Sequence, residues 1–115
     1  MVLKYMDNSK NDDYYLDKIF VELNFIIEYT KNKTLDDLRN DKSLLRAIMF
    51  SFIQISENNE KLSTQFKEKH KEISWKAMKG MRNLIVHNYG KVDLKIVYNT
   101  IKVSIPEFEK QLKNI

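Results

Sequence analysis

The sequence predicts an all-α fold, an antiparallel bundle of four to five helices. Three observations carry that reading. The 115 residues include only 2 Gly and 1 Pro, too few turn residues for a multi-stranded sheet. Apolar residues recur at three- and four-residue intervals over several long stretches. Residues suited to helix N-caps stand just ahead of those stretches.

In chain order, Met1 to Lys10 is polar, and residues 1–11 are expected to fray. Asn11, Asp12 and Asp13 offer N-caps and early negative charge for a first helix from about Asp12 to Tyr29. Leu16, Ile19, Phe20, Leu23, Ile26 and Ile27 form its apolar stripe. Lys31-Asn32-Lys33 interrupts the pattern. Thr34 with Asp37 resembles a capping box for a short turn, Leu35 to Asn40. Asp41 then caps a second long helix with the stripe Leu44, Leu45, Ile48, Phe52, Ile55 and Leu62. The polar run Ser56-Glu57-Asn58-Asn59-Glu60 continues that helix. Such a run lines a cleft or interface in some helices, while plain solvation is the simpler reading for any one residue.

Ser63 to Glu72 reads as charged and irregular, anchored by Phe66, with His70 as a solvated surface histidine. Ser74 is an N-cap candidate for a third long helix that opens at Trp75 and carries Met78, Arg82, Ile85 and Val86. Gly80 within it is unfavourable by up to ~1 kcal/mol against Ala. A close backbone neighbour would explain it. Asn88-Tyr89-Gly90 reads as the helix end. Asp93 caps a fourth helix bearing Leu94, Val97, Tyr98 and Ile101, and Pro106 either kinks it or starts a final segment docked by Phe108 and Leu112.

The length fits one domain, residues 1–115. Hydrophobic residues at 43% and charged residues at 31% fit a folded, soluble chain. The absence of cysteine excludes disulfides, thiolate metal sites and cysteine nucleophiles. No apolar run reaches the ~18–20 residues of a membrane span, and no signal-peptide-like segment opens the sequence, so a cytoplasmic protein is expected. The net charge of +4 mildly favours polyanionic partners.

Chemistry concentrates in Arg82-Asn83-Leu84-Ile85-Val86-His87-Asn88-Tyr89. On a regular helix, Arg82 and His87 would point about 140° apart, so they converge only if the helix loosens or a two-fold partner supplies one group. A guanidinium can grip a phosphate with two parallel hydrogen bonds, and an imidazole can move protons at neutral pH. Together they suit RNA cleavage by 2′-hydroxyl attack, with no metal and no cofactor. One histidine cannot readily serve as both base and acid, and a two-fold dimer would resolve that. By spacing alone, the same residues also fit a histidine bonded at a helix end with Tyr89 as a core aromatic.

The phrase ISWKAMKGMRNLIVHNYGKVDLKIVY resembles the HepT-like branch of the HEPN superfamily. Ile73-Ser74-Trp75, Gly80-Met81-Arg82-Asn83, His87-Asn88-Tyr89 and Val92-Asp93 match its pattern in order, and ISENNEKLS is similar to its Ile-Gly-Glu-Ala-x-x-x-Leu-Ser segment. The resemblance spans almost everything after Asp12. It implies a helical, homodimeric toxin with metal-independent RNase activity and a minimal nucleotidyltransferase antitoxin as partner. It implies Arg82 and His87 as the catalytic pair and Tyr89 as the position the antitoxin modifies with AMP. Asn83 and, through the glutamate of the second segment, Glu57 are implied as supporting residues. Two departures stand out: the family glycine is Ser56 here and the family alanine is Asn58. If that glycine allows close dimer packing, Ser56 alters the interface. The competing expectations are a non-catalytic module that binds nucleotide or RNA and partners a nucleotidyltransferase, and a helical adaptor with a decayed site. The intact Arg82, His87, Tyr89 set argues against the last.

Overall fold

The computed structural model describes residues 8–86 and 93–115. It is all-α, as the sequence predicts, and no strand occurs among the described residues. Four rods make the bundle. The first is α1 (Asn8–Thr30); a short α2 (Leu35–Arg39) links it to α3 (Lys42–Lys61). The third rod is broken: α4 (Thr64–Lys69) leads through a turn into α5 (Trp75–Gly80) and α6 (Asn83–Val86). The fourth runs from α7 (Leu94–Asn99) through a π turn (Thr100–Ser104) into α8 (Ile105–Lys113).

Long-range bonds fix the rod directions. Asp12, early in α1, meets Ser63, just past α3, so these two rods are antiparallel. Asn59 and Ser56 of α3 meet Trp75 and Lys79 of α5 in reversed order. Gln111 near the end of α8 meets Ser74 ahead of α5, and Lys102 meets the last carbonyl of α1. Successive rods therefore alternate in direction around one core. Ile19, Leu23, Ile26, Ile48, Phe52, Ile55, Met78 and Ile105 are fully buried there. Removing such side chains from water supplies the main drive to fold.

Local chemistry sets most boundaries as expected. Asn32 takes φ of 61°, the left-handed conformation that asparagine tolerates, and ends α1. Thr34 and Asp37 close a reciprocal capping box on α2. Asp41 accepts from the Leu44 N–H at 3.0 Å, and Asp93 from the Lys95 N–H at 3.0 Å. Pro106 sits in the first turn of α8. The π turn just ahead of it carries a bond from the Ile105 N–H to the Thr100 carbonyl. This widened turn lets a continuous rod accommodate a residue that lacks an amide proton.

Six expectations need correction. The first helix starts at Asn8 rather than near Asp12. Asp12 does not cap it: its buried carboxylate accepts from the Ser63 N–H and hydroxyl, both at 2.7 Å. Ser63 in turn caps α4, a helix in the stretch read as irregular, by accepting from the Phe66 N–H. A carboxylate distant in sequence thus orders that stretch. Ser74 makes no side-chain cap; Gln111 bridges it instead, accepting from the Ser74 N–H at 3.0 Å and donating to the hydroxyl at 3.2 Å. The third helix is not continuous, because it breaks at Met81 and Arg82 immediately after Gly80. A Cβ on Gly80 would meet nothing within 4 Å, so no close backbone neighbour accounts for the glycine.

Two measurements test this frame. Asp12→Ala leaves the half-buried Ser63 groups unpartnered and should lower stability by about 1–3 kcal/mol in urea denaturation, while the exposed Asp13→Ala should change it by less than about 0.5 kcal/mol. The Thr34 N–H and hydroxyl hold the Asp37 carboxyl below the usual carboxylate range. A lowered folded-state pKa stabilises above the unfolded value and loses that effect as pH falls through the folded value. Carbon-detected carboxyl NMR should therefore show Asp37 titrating below the value of a free aspartate, and Thr34→Ala should raise it toward that value.

Candidate active site

The polar end of α3 faces the broken rod, and most of it is buried. Ser56, Asn58 and Asn59 are 3%, 5% and 1% exposed, which overturns plain solvation as their reading. A buried polar group must find a partner. The Ser56 hydroxyl donates to the Lys79 carbonyl at 2.8 Å, and the Asn59 amide donates to the Trp75 carbonyl at 3.1 Å. The Asn58 amide turns back to the Gln54 carbonyl at 2.8 Å. Ser56 stands where the resembled family has glycine, and its hydroxyl is engaged within the chain.

These bonds hold α5 to α3 up to the break. Lys79 is the residue whose carbonyl would accept from Asn83 if the helix continued, and it takes the Ser56 hydroxyl instead. The Met81 N–H donates back to the Met78 carbonyl at 3.3 Å, and the Met81 carbonyl accepts from the Leu84 N–H at 3.2 Å. Met81 itself is buried and anchors the turn, whereas Arg82 and Asn83 are exposed.

A cleft of about 340 Å³ opens there, lined by Ser56, Glu57, Glu60, Lys79, Arg82 and Asn83. Glu57 points from the exposed side of α3, and Glu60 one turn on pairs with Lys79 at 3.1 Å. Among the described residues, Arg82 closes no ion pair with either glutamate. Of the sequence-predicted site residues, Arg82, Asn83 and Glu57 thus share one cleft. His87 and Tyr89 lie outside the described residues. Lys79, Glu60, Ser56 and Asn59 were not singled out as site residues from the sequence; the only signal for the last three was the polar run itself.

His70 is not a solvated histidine. Its side chain is 19% exposed, its ring lies 4.8 Å from that of Phe66, and Nδ1 is 3.7 Å from the Glu72 carboxylate. Its carbonyl accepts from the Trp75 indole N–H at 2.9 Å. It belongs to the packing that orients the entry to α5. Among the described residues, no group of three or more histidine, aspartate or glutamate side chains is placed to hold a metal ion. No helix among them is long and apolar enough to cross a membrane.

The family model described as Ribonuclease HepT-like matches residues 19–115, and the chain belongs to this family, within the HEPN superfamily. A protein of Caldanaerobacter subterraneus subsp. tengcongensis, provisionally named an RNase, is 40% identical over 101 residues, 88% of this chain and 90% of its own. A Methanocaldococcus jannaschii protein, also provisionally named an RNase, is 32% identical over 88% of this chain and 84% of its own. A Thermococcus cleftensis protein provisionally named ribonuclease HepT is 29% identical over 96% of this chain and 98% of its own. No solved structure matches the chain.

The clamp makes its own prediction. Ser56→Ala leaves the Lys79 carbonyl without its hydroxyl and should lower stability by about 1 kcal/mol. Hydrogen exchange of the bonded Met78 and Met81 amides should accelerate more than exchange in α1.

Proposed function

We propose that this protein is a metal-independent endoribonuclease, the toxin of a two-component system whose antitoxin is a minimal nucleotidyltransferase. One observation carries the reading. Arg82 and Asn83 stand exposed at a helix break, in one cleft with Glu57, directly ahead of His87 and Tyr89 in a HepT-like ribonuclease chain. The relatives' names support RNA as substrate.

In this reading, His87 takes the proton from an RNA 2′-hydroxyl, whose oxygen attacks the adjacent phosphorus. Arg82 stabilises charge that builds on the phosphoryl oxygens, where a positioned cation is more effective than in the ground state. The 5′-oxygen departs with its electron pair and takes up a proton, leaving a 2′,3′-cyclic phosphate and a 5′-hydroxyl. The proton donor for that step is the second His87 of a homodimer. Asn83 orients the site, and Glu57 steers the guanidinium within the cleft. Transfer of AMP to the Tyr89 oxygen by the antitoxin would add negative charge beside the cleft and repel the substrate phosphate.

Purified protein should cleave RNA in EDTA and leave cyclic phosphates. Arg82→Ala should lower the rate about 10²–10³-fold, and Arg82→Lys should recover only part, because an ammonium lacks the planar fork. His87→Ala should abolish cleavage and relieve growth inhibition in cells. The alternative is a module that only binds nucleotide or RNA, with the motif serving binding alone. A His87→Gln variant that kept the full effect in cells would favour that module instead.

A further inference from the structure

A second cleft with charged walls lies outside the candidate site. It adjoins it, holds about 410 Å³, and lies between α4 and α5, lined by Lys67, Lys71, Lys76, Trp75, Ile73 and a single acid, Glu68, among other residues. We infer that this cleft is a second RNA subsite, a track that holds phosphates and one base of the strand flanking the bond to be cut. The inference rests on RNA as the substrate and extends that reading to where the rest of the strand lies.

Three observations support it. The first is continuity. Trp75 and Lys79 are four residues apart on α5 and Lys76 and Lys79 three apart, so one helical surface carries all three toward Arg82. α5 is only about 9 Å long at 1.5 Å per residue. Lys67 reaches across from α4 and feels the charges of both Glu60 and Lys79, which line the candidate site.

The second is charge. The three lysines face one glutamate in this cleft, and none of them makes an ion pair among the described residues. Partial burial lowers the Lys67 ammonium pKa below its usual range. A cation partly desolvated without a paired carboxylate is suited to an incoming phosphate.

The third is the ring. Trp75 is half-buried and fixed: its indole N–H is bonded to the His70 carbonyl, and its ring packs 5.8 Å from that of Phe66. A rigid aromatic between lysines is a stacking platform for an unpaired base, and such stacking tolerates any sequence.

Trp75 is the chain's single tryptophan, so its emission reports on the cleft directly. The probe is a 2′-O-methyl oligoribonucleotide of about ten nucleotides, within the site sizes of single-strand binders; it lacks the attacking hydroxyl and cannot be cut. It should quench Trp75, and poly-L-glutamate, which has charge and no bases, should not. Lys67→Ala/Lys71→Ala/Lys76→Ala should weaken binding at least about tenfold and flatten the log–log salt slope by about 2, near 0.7 for each phosphate no longer neutralised. Lys71→Ala/Lys76→Ala changes exposed residues only and should flatten it by about 1.4. In cleavage, either variant should raise KM for a long RNA and leave a dinucleotide unaffected. Unchanged Trp75 emission on RNA binding, equal quenching by polyglutamate, or an unchanged salt slope in both variants would overturn the track. If wild type cut neither a dinucleotide nor a long RNA, the cleavage reading would fail, and lysine-dependent quenching would still establish the track.

Discussion

The bond from the Ser56 hydroxyl to the Lys79 carbonyl is the contact on which the site depends. α3 is apolar where it packs on α1 and polar where it packs on α5. At the polar end, the serine and Asn59 hold two carbonyls of a short helix that could not hold its own place. Six residues are too few for a helix to be stable without tertiary packing. The clamp therefore both fixes α5 and lets it stop at Gly80. Were the helix to run on, Arg82 would lie on a regular cylinder rather than at a corner beside Glu57. A local hydrogen bond between rods thus sets the position of a charged side chain several residues away.

Much of this was legible in the sequence. The apolar stripes of α1 and α3, the capping box at Thr34, the caps at Asp41 and Asp93 and the role of Pro106 all depend on neighbours within a few residues. The motif around Arg82 was legible as a family pattern, and the chain belongs to that family. The errors fall where a distant partner decides. Asp12 looked like a cap for its own helix, and it bonds a serine fifty-one positions away. Ser74 looked like a cap, and Gln111 claims both its polar groups. Asn58 and Asn59 looked solvated because composition cannot show which face of α3 meets another rod. The break after Gly80 was masked by continuing helical periodicity, since stripe spacing survives a short turn.

Two rods joined by buried polar bonds behave differently from two joined by apolar packing. Apolar contacts tolerate small slides between neighbours, whereas a hydroxyl aimed at one carbonyl fixes register along the helix axis. The proposed role of Arg82 needs such register, because a guanidinium that grips a phosphate does so with both arms. One polar atom of the clamp is left over: the Asn59 side-chain oxygen Oδ1 is buried with no partner among the described residues. Keeping an orphaned acceptor is unfavourable by about 1–3 kcal/mol. An apolar residue at position 59 would avoid it and would lose the bond to Trp75 that orients the start of α5.

Electrostatics explain why the substrate needs more than the candidate site. Within its cleft, Arg82 and Lys79 face Glu57 and Glu60, so the local charges cancel. The Glu60–Lys79 pair at 3.1 Å is exposed and contributes little to stability, roughly 0–1 kcal/mol. A near-neutral cleft does not concentrate a polyanion, however well its guanidinium fits a single phosphate. The protein's positive excess has to act from outside it. Lys67, Lys71 and Lys76 supply that excess one helix face away, with Trp75 among them. On the proposed reading, recognition and chemistry are divided: a basic, aromatic track gathers the strand, and a balanced cleft receives one phosphate. That division would let Glu57 sit beside Arg82 without driving RNA from the protein.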